Sequence, residues 1–155
     1  MIETQQIKMF RRATFVLMGI GVLHPIIHFL TRKPMNETEG ILFRLMNSYH
    51  KPIAGGEMTM MDIQDGLNIC YGMFFLVLGI VNLYCLRYQQ TNVSFIKGLS
   101  RIESFFFLIG TGISIVYFYW LPVVYFLVLS IFFAWSGVFQ LKKMEYSLRN
   151  PKHLS

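Results

Sequence analysis

Charge is what this chain has least of. Only 14% of its 155 residues are Asp, Glu, Lys or Arg, where a soluble domain carries about a quarter. Together with 54% hydrophobic residues, that scarcity excludes an ordinary water-soluble domain. Cysteine is nearly absent too. Cys70 and Cys85 stand fifteen residues apart in one apolar run, roughly 22 Å along a helix, so they cannot pair with each other. No Cys-x-x-Cys occurs, which removes the thiol pair that quinone-linked disulfide oxidation requires. No glycine-rich phosphate loop and no nucleophile constellation is present. The first apolar run has no Ala-x-Ala-like cleavage site and contains two histidines and a proline, so it is expected to be a permanent helix rather than a signal peptide.

What is present is apolar sequence in long runs. Ala13 to Thr31, Gly66 to Leu86, Ile102 to Trp120 and Val123 to Leu141 each match the about 20 residues needed to cross a hydrocarbon core of about 30 Å. The expected fold is an all-α membrane protein: a single domain over residues 1–155 forming a four-transmembrane-helix bundle. Of the 14 Lys and Arg, ten fall on one side of this arrangement: Lys8, Arg11 and Arg12; Arg87, Lys97 and Arg101; Lys142, Lys143, Arg149 and Lys152. The other side has Arg32, Lys33, Arg44 and Lys51, offset by Glu37, Glu39, Glu57, Asp62 and Asp65. The excess of basic residues on the cytoplasmic side of membrane proteins then puts both termini in the cytoplasm, and a bacterial inner membrane is the expected setting. The net charge of +6 is explained by this distribution, so nucleic acid is not an expected partner; the lipid bilayer and a membrane-protein partner or second copy are.

The connection from Arg32 to Gln64 is the one sizeable segment outside the runs. Ile41, Leu42, Leu45, Met46 and Tyr49 recur at one-turn spacing with Gly40, Arg44, Asn47 and Ser48 opposite, which predicts a short amphipathic helix on the outer membrane surface. Pro52 and Gly55-Gly56 should end it. Asn36-Glu37-Thr38 matches a glycosylation acceptor, meaningful only in a eukaryotic secretory pathway. The last two runs are separated only by Leu121-Pro122, a tight antiparallel link, and Tyr117, Tyr119, Trp120 and Tyr125 around it suit an interfacial aromatic belt.

Within the runs, small and polar residues follow steps of three and four. The series are Thr14, Leu17, Gly21, His24, His28, Thr31; Asp65, Asn68, Gly72, Phe75, Gly79, Asn82; Ser100, Glu103, Phe107, Gly110, Ser114, Tyr117; and Ser130, Ala134, Gly137. Each is one helix face, and such faces pack together because lipid tails offer Leu-rich surfaces no reason to leave them. His24 lies roughly 16 Å beyond Ala13 and His28 roughly 6 Å further, which places both in the outer half with Asp65, Asn68 and Tyr117. This is the candidate polar pocket. Pro25 removes the helical bond to the Gly21 carbonyl, suggesting a kink and one more acceptor there. Asn82 and Glu103 form a smaller inner station, with Glu103 expected to anchor at the surface and reach Lys or Arg.

Three chemistries fit the outer residues. His24 and His28, with Asp62, Asp65 or Glu57, could ligate zinc or iron, though no Glu accompanies the pair as in His-Glu-x-x-His enzymes. Copper through Met58, Met60 and Met61 suits soft-ligand chemistry, but methionine also fills apolar contacts. Haem is disfavoured, since His50 and His153 sit in a loop and a tail rather than on an opposing helix. A second possibility is a lipid, quinone or other small molecule, bound or transformed with a histidine as proton donor. The third, and the favoured expectation, is that histidines and Asp65 hydrogen-bond one another to fix helix register in an accessory or structural subunit of a larger membrane assembly. No cofactor is assigned.

Gly21-x-x-His24, then Gly55-Gly56-Glu57-Met58-Thr59, then Asp62-x-x-x-Gly66-Leu67-Asn68 resembles a group of small four-helix bacterial integral membrane proteins of uncharacterised function. In that group a Gly-His in the first helix precedes a Gly-rich turn and an aromatic or acidic entry to the second; here Gly21 stands three positions before His24. The resemblance covers about the first half of the chain. It implies the four-helix topology and the outer polar station, and no activity.

Overall fold

The computed structural model describes residues 5–53, 55–89, 91–118 and 120–138. Among these residues five helices and one sheet follow in order: α1 (Gln5–Leu30), α2 (Glu37–Ser48), β1 (His50–Ile53), β2 (Gly56–Thr59), α3 (Met60–Tyr88), α4 (Val93–Tyr117) and α5 (Trp120–Val138). Four of them, α1, α3, α4 and α5, are long and apolar enough to cross a membrane. Tyr119, the expected span end at Leu141, the basic residues Lys142, Lys143, Arg149 and Lys152, and His153 lie outside the described residues.

Helices start earlier than the apolar runs do. Hydropathy marks only the greasy stretch, whereas a helix continues while its buried face does. Thus α1 begins at Gln5 rather than Ala13, because Gln6 and Phe10 extend the Thr14–Leu17 stripe into the core. Likewise α4 starts at Val93, where the Asn92 side chain caps it by accepting from the Phe95 N–H at 3.0 Å. Leu121-Pro122, expected to be the link before the last span, instead lies in the first turn of α5. Proline is tolerated there because first-turn N–H groups have no intrahelical acceptor.

The expectation of an all-α chain needs one correction. Pro52 and Gly55-Gly56 do more than end α2: β1 and β2 form an antiparallel hairpin in which His50 faces Thr59, Lys51 Met58, Pro52 Glu57 and Ile53 Gly56. Gly55, at φ +88°, takes the left-handed conformation this tight turn needs. The ribbon is only four residues a side, too short for a periodic signal.

The chain divides into two compact units, Met18–Leu78 and Met1–Leu17 with Gly79–Ser155. In the first, α2 is capped by Asn36, which accepts from the Glu39 N–H at 2.8 Å. Its apolar stripe stays exposed, Ile41, Leu42 and Leu45 included. Thr59 and Asp62 open α3 as a capping box: the Asp62 N–H donates to Thr59 Oγ1 and the Thr59 N–H to Asp62 Oδ2, both at 3.0 Å. α1 crosses α3 at two glycines. A Cβ on Gly72 would stand 2.7 Å from the Gly21 carbonyl oxygen and 2.8 Å from the Pro25 ring, and one on Gly21 would stand 2.9 Å from the Gly72 carbonyl. The Gly21 carbonyl that Pro25 frees therefore packs against the α3 backbone.

In the second unit α4 and α5 form a hairpin stitched by hydroxyls. Ser100 Oγ donates to the Phe133 carbonyl at 2.7 Å, while Ser104 and Ser130 each donate to the other's carbonyl at 2.9 Å. Arg101 Nε donates to the Gly137 carbonyl at 3.2 Å. Phe107 stacks on Phe133 with centroids 5.6 Å apart, and Phe133 meets Phe10 of α1 edge-on at 5.5 Å. These rings are almost wholly buried.

Candidate functional site

The outer polar residues form a ladder between the end of α1 and the start of α3. Helical spacing puts His24 and His28 one turn apart on one face, and the Gly21–Gly72 crossing brings that face against α3. His24 Nε2 donates to Asn68 Oδ1 at 3.1 Å, and the Asn68 amide in turn donates to the Gln64 carbonyl at 2.8 Å. That orientation of the amide sets the histidine's tautomer, with the proton on Nε2. One turn on, His28 Nε2 donates to Asp65 Oδ1 at 3.0 Å. Arg32, a further four residues along, closes the set with Nη1 at 2.6 Å from Asp65 Oδ2. Both oxygens of Asp65 are thereby engaged, one by each base. The side chains of His28, Asp65 and Arg32 are 18%, 16% and 31% exposed, so the ladder is shielded but not sealed. The His24 ring also lies 5.7 Å from that of Tyr71, which meets Phe75 edge-on.

Four of the five residues expected in the pocket are therefore brought together: His24, His28, Asp65 and Asn68. Tyr117 belongs to the other compact unit, where it is 77% exposed at the end of α4. Its place in the step-of-three series does not bury it, because the stripe passes out of the core after Ser114. Arg32 was not among the expected site residues. Its signal was present in the sequence as the next step of four after His24 and His28, obscured because it lies just past the apolar run and reads as a loop charge.

The metal candidates do not gather as a donor set. Among the described residues no group of three or more His, Cys, Asp and Glu is positioned to hold an ion. Asp65 already carries the Arg32 guanidinium where a metal would have to sit. Asp62 is turned into the Thr59 capping box, with Thr59 Oγ1 donating to its Oδ2 at 2.7 Å. The methionines also separate: Met61 is buried, whereas Met58 and Met60 are exposed. His50 Nδ1 donates to the Ser48 carbonyl at 3.0 Å.

The inner pair differs from expectation. Glu103 does not reach out to a surface cation; it is 4% exposed, and neither carboxyl oxygen has a hydrogen-bond partner. The cause is its position on the buried stripe of α4, one turn from both Ser100 and Phe107. Asn82 of α3 is wholly enclosed beside it, and its two amide atoms are also without partners. No family model, curated protein or solved structure matches this chain.

Proposed function

We propose that this chain is a small integral membrane protein with four spans that serves as an accessory or structural subunit of a larger membrane assembly, with the outer ladder holding two of its helices in register. The observation that carries this is saturation. His24, His28, Arg32, Asp65 and Asn68 spend their polar groups on one another, which is how polar residues serve as glue between membrane helices. A ligand would have to displace those bonds. The bacterial inner-membrane setting rests on the resemblance carried by Gly21, His24 and the Gly55-Gly56 turn. Cytoplasmic termini follow from Lys8, Arg11, Arg12, Arg87, Lys97 and Arg101. With its apolar stripe exposed and Glu37 and Glu39 in its first turn, α2 suits a position along the outer surface, Ile41, Leu42 and Leu45 dipping into the lipid.

Purification of the full chain from its native membrane in a mild detergent tests this. A stoichiometric partner protein is the expected result. A monomer carrying bound lipid, quinone or metal would overturn it in favour of a binding protein or enzyme. Substitution of either histidine by alanine should lower the yield of folded protein; loss of a measurable activity without loss of fold would also favour the second class.

A further inference from the structure

Glu103 is the one ionisable side chain in the buried set of the described residues. Every polar neighbour from the surrounding helices is neutral or already committed. From α1, Gln6 is an uncharged amide, buried with its own side-chain atoms unpartnered, and Thr14 donates to the Phe10 carbonyl. From α5, Ser130 and Ser136 donate to the carbonyls of Ser104 and Gln6. On α4 itself Ser100 is spent on Phe133, and Arg101 turns to Gly137. Lys8, Arg12 and Arg87 of α1 and α3 are exposed, Arg11 and Lys97 partly so; none of them makes an ion pair with Glu103. A carboxylate enclosed without a counter-charge is prohibitively unfavourable, so positive charge must reach it by another route.

We propose that Glu103 and Asn82 form a binding site for one small monovalent cation, a proton or an alkali-metal ion, in the core of this unit. If the cation is a proton, the Glu103 carboxyl donates it to Asn82 Oδ1, satisfying two of the orphaned atoms at once. If it is an alkali ion, the Glu103 oxygens and Asn82 Oδ1 supply the hard oxygen ligands such ions take. Either way α3 and α4 pack through a neutral contact when the site is filled and a charged one when it is empty. Occupancy would then bias how the two helices pack, as any ligand that favours one state does.

Infrared spectra of the full chain in lipid vesicles, wild type minus Glu103→Gln, read the site directly. A protonated-carboxyl band lost in the variant identifies the proton; a carboxylate band that shifts when potassium is exchanged for sodium or lithium identifies the alkali ion. A Glu103 carboxylate band indifferent to both pH and cation overturns the proposal. Should the variant not fold, wild type is treated with a membrane-permeant carbodiimide, which modifies protonated carboxyls. Modification of Glu103 that is lost as pH or sodium rises supports the site. No modification in mildly acidic, sodium-free buffer, or modification insensitive to both, overturns it.

Discussion

The two polar clusters of this molecule solve the same problem in opposite ways. In the ladder a carboxylate, two imidazoles and a guanidinium are partly exposed and fully partnered, Asp65 receiving one base on each oxygen. In the core of the other unit a single carboxyl is enclosed with an amide, and neither has a partner within hydrogen-bonding geometry. The ladder can be explained by packing alone. The Glu103–Asn82 pair cannot, because unsatisfied buried polar groups lower stability unless something else contributes. The difference teaches where to look for function: at the unpaired group rather than at the conspicuous histidines.

That comparison can be broken from either end. The largest effect should come from the crossing that sets the ladder's register. Gly72→Leu forces a side chain into the Gly21 carbonyl and the Pro25 ring, an overpacking cost of about 1–3 kcal/mol or more, and should leave little folded protein by size-exclusion in detergent. Next, Asp65→Ala strands His28 and Arg32 together with no carboxylate between them. Because the group is partly solvated, the loss is below that of a sealed ion pair, about 1–2 kcal/mol, seen as a lower temperature for the loss of helicity. Glu103→Leu should behave oppositely. Removing an unpaired buried carboxyl holds or raises stability by about 1 kcal/mol, and a drop as large as that of Asp65→Ala would erase the distinction between the clusters. Asn92→Ala removes the cap of α4 and should cost about 1 kcal/mol, measured the same way. The smallest change is expected for Ser104→Ala, about 0.6 kcal/mol, a typical value for a hydrogen bond between membrane helices.

Much of the core was readable before the fold. Ser100, Glu103, Phe107 and Ser114 follow steps of three and four in the sequence and all lie on the buried face of α4; the same holds for Thr14 and Leu17 of α1 and for Phe75 and Asn82 of α3. What escaped was of three kinds. The hairpin is four residues a side and carries no alternation long enough to register. On α5, Phe126, Leu129 and Phe133 are core residues in a helix apolar on every side, so nothing in their chemistry separates them from their exposed neighbours. Arg32 and Tyr117 exchange roles, the first joining the ladder and the second standing exposed, because membership depends on where each stripe leaves its partner helix.

By itself the sequence determined that this protein has four long apolar helices and that their polar residues lie on single faces. Both follow from composition and the 3.6-residue period, which act along the chain. Only the tertiary structure decided that Asp65 is shared by His28 and Arg32 while Glu103 is left to Asn82. Partnership between residues far apart in sequence is set by helix crossing and depth. Two glycines that admit a backbone at close range, and a stripe that runs into a ring-filled core, determine those.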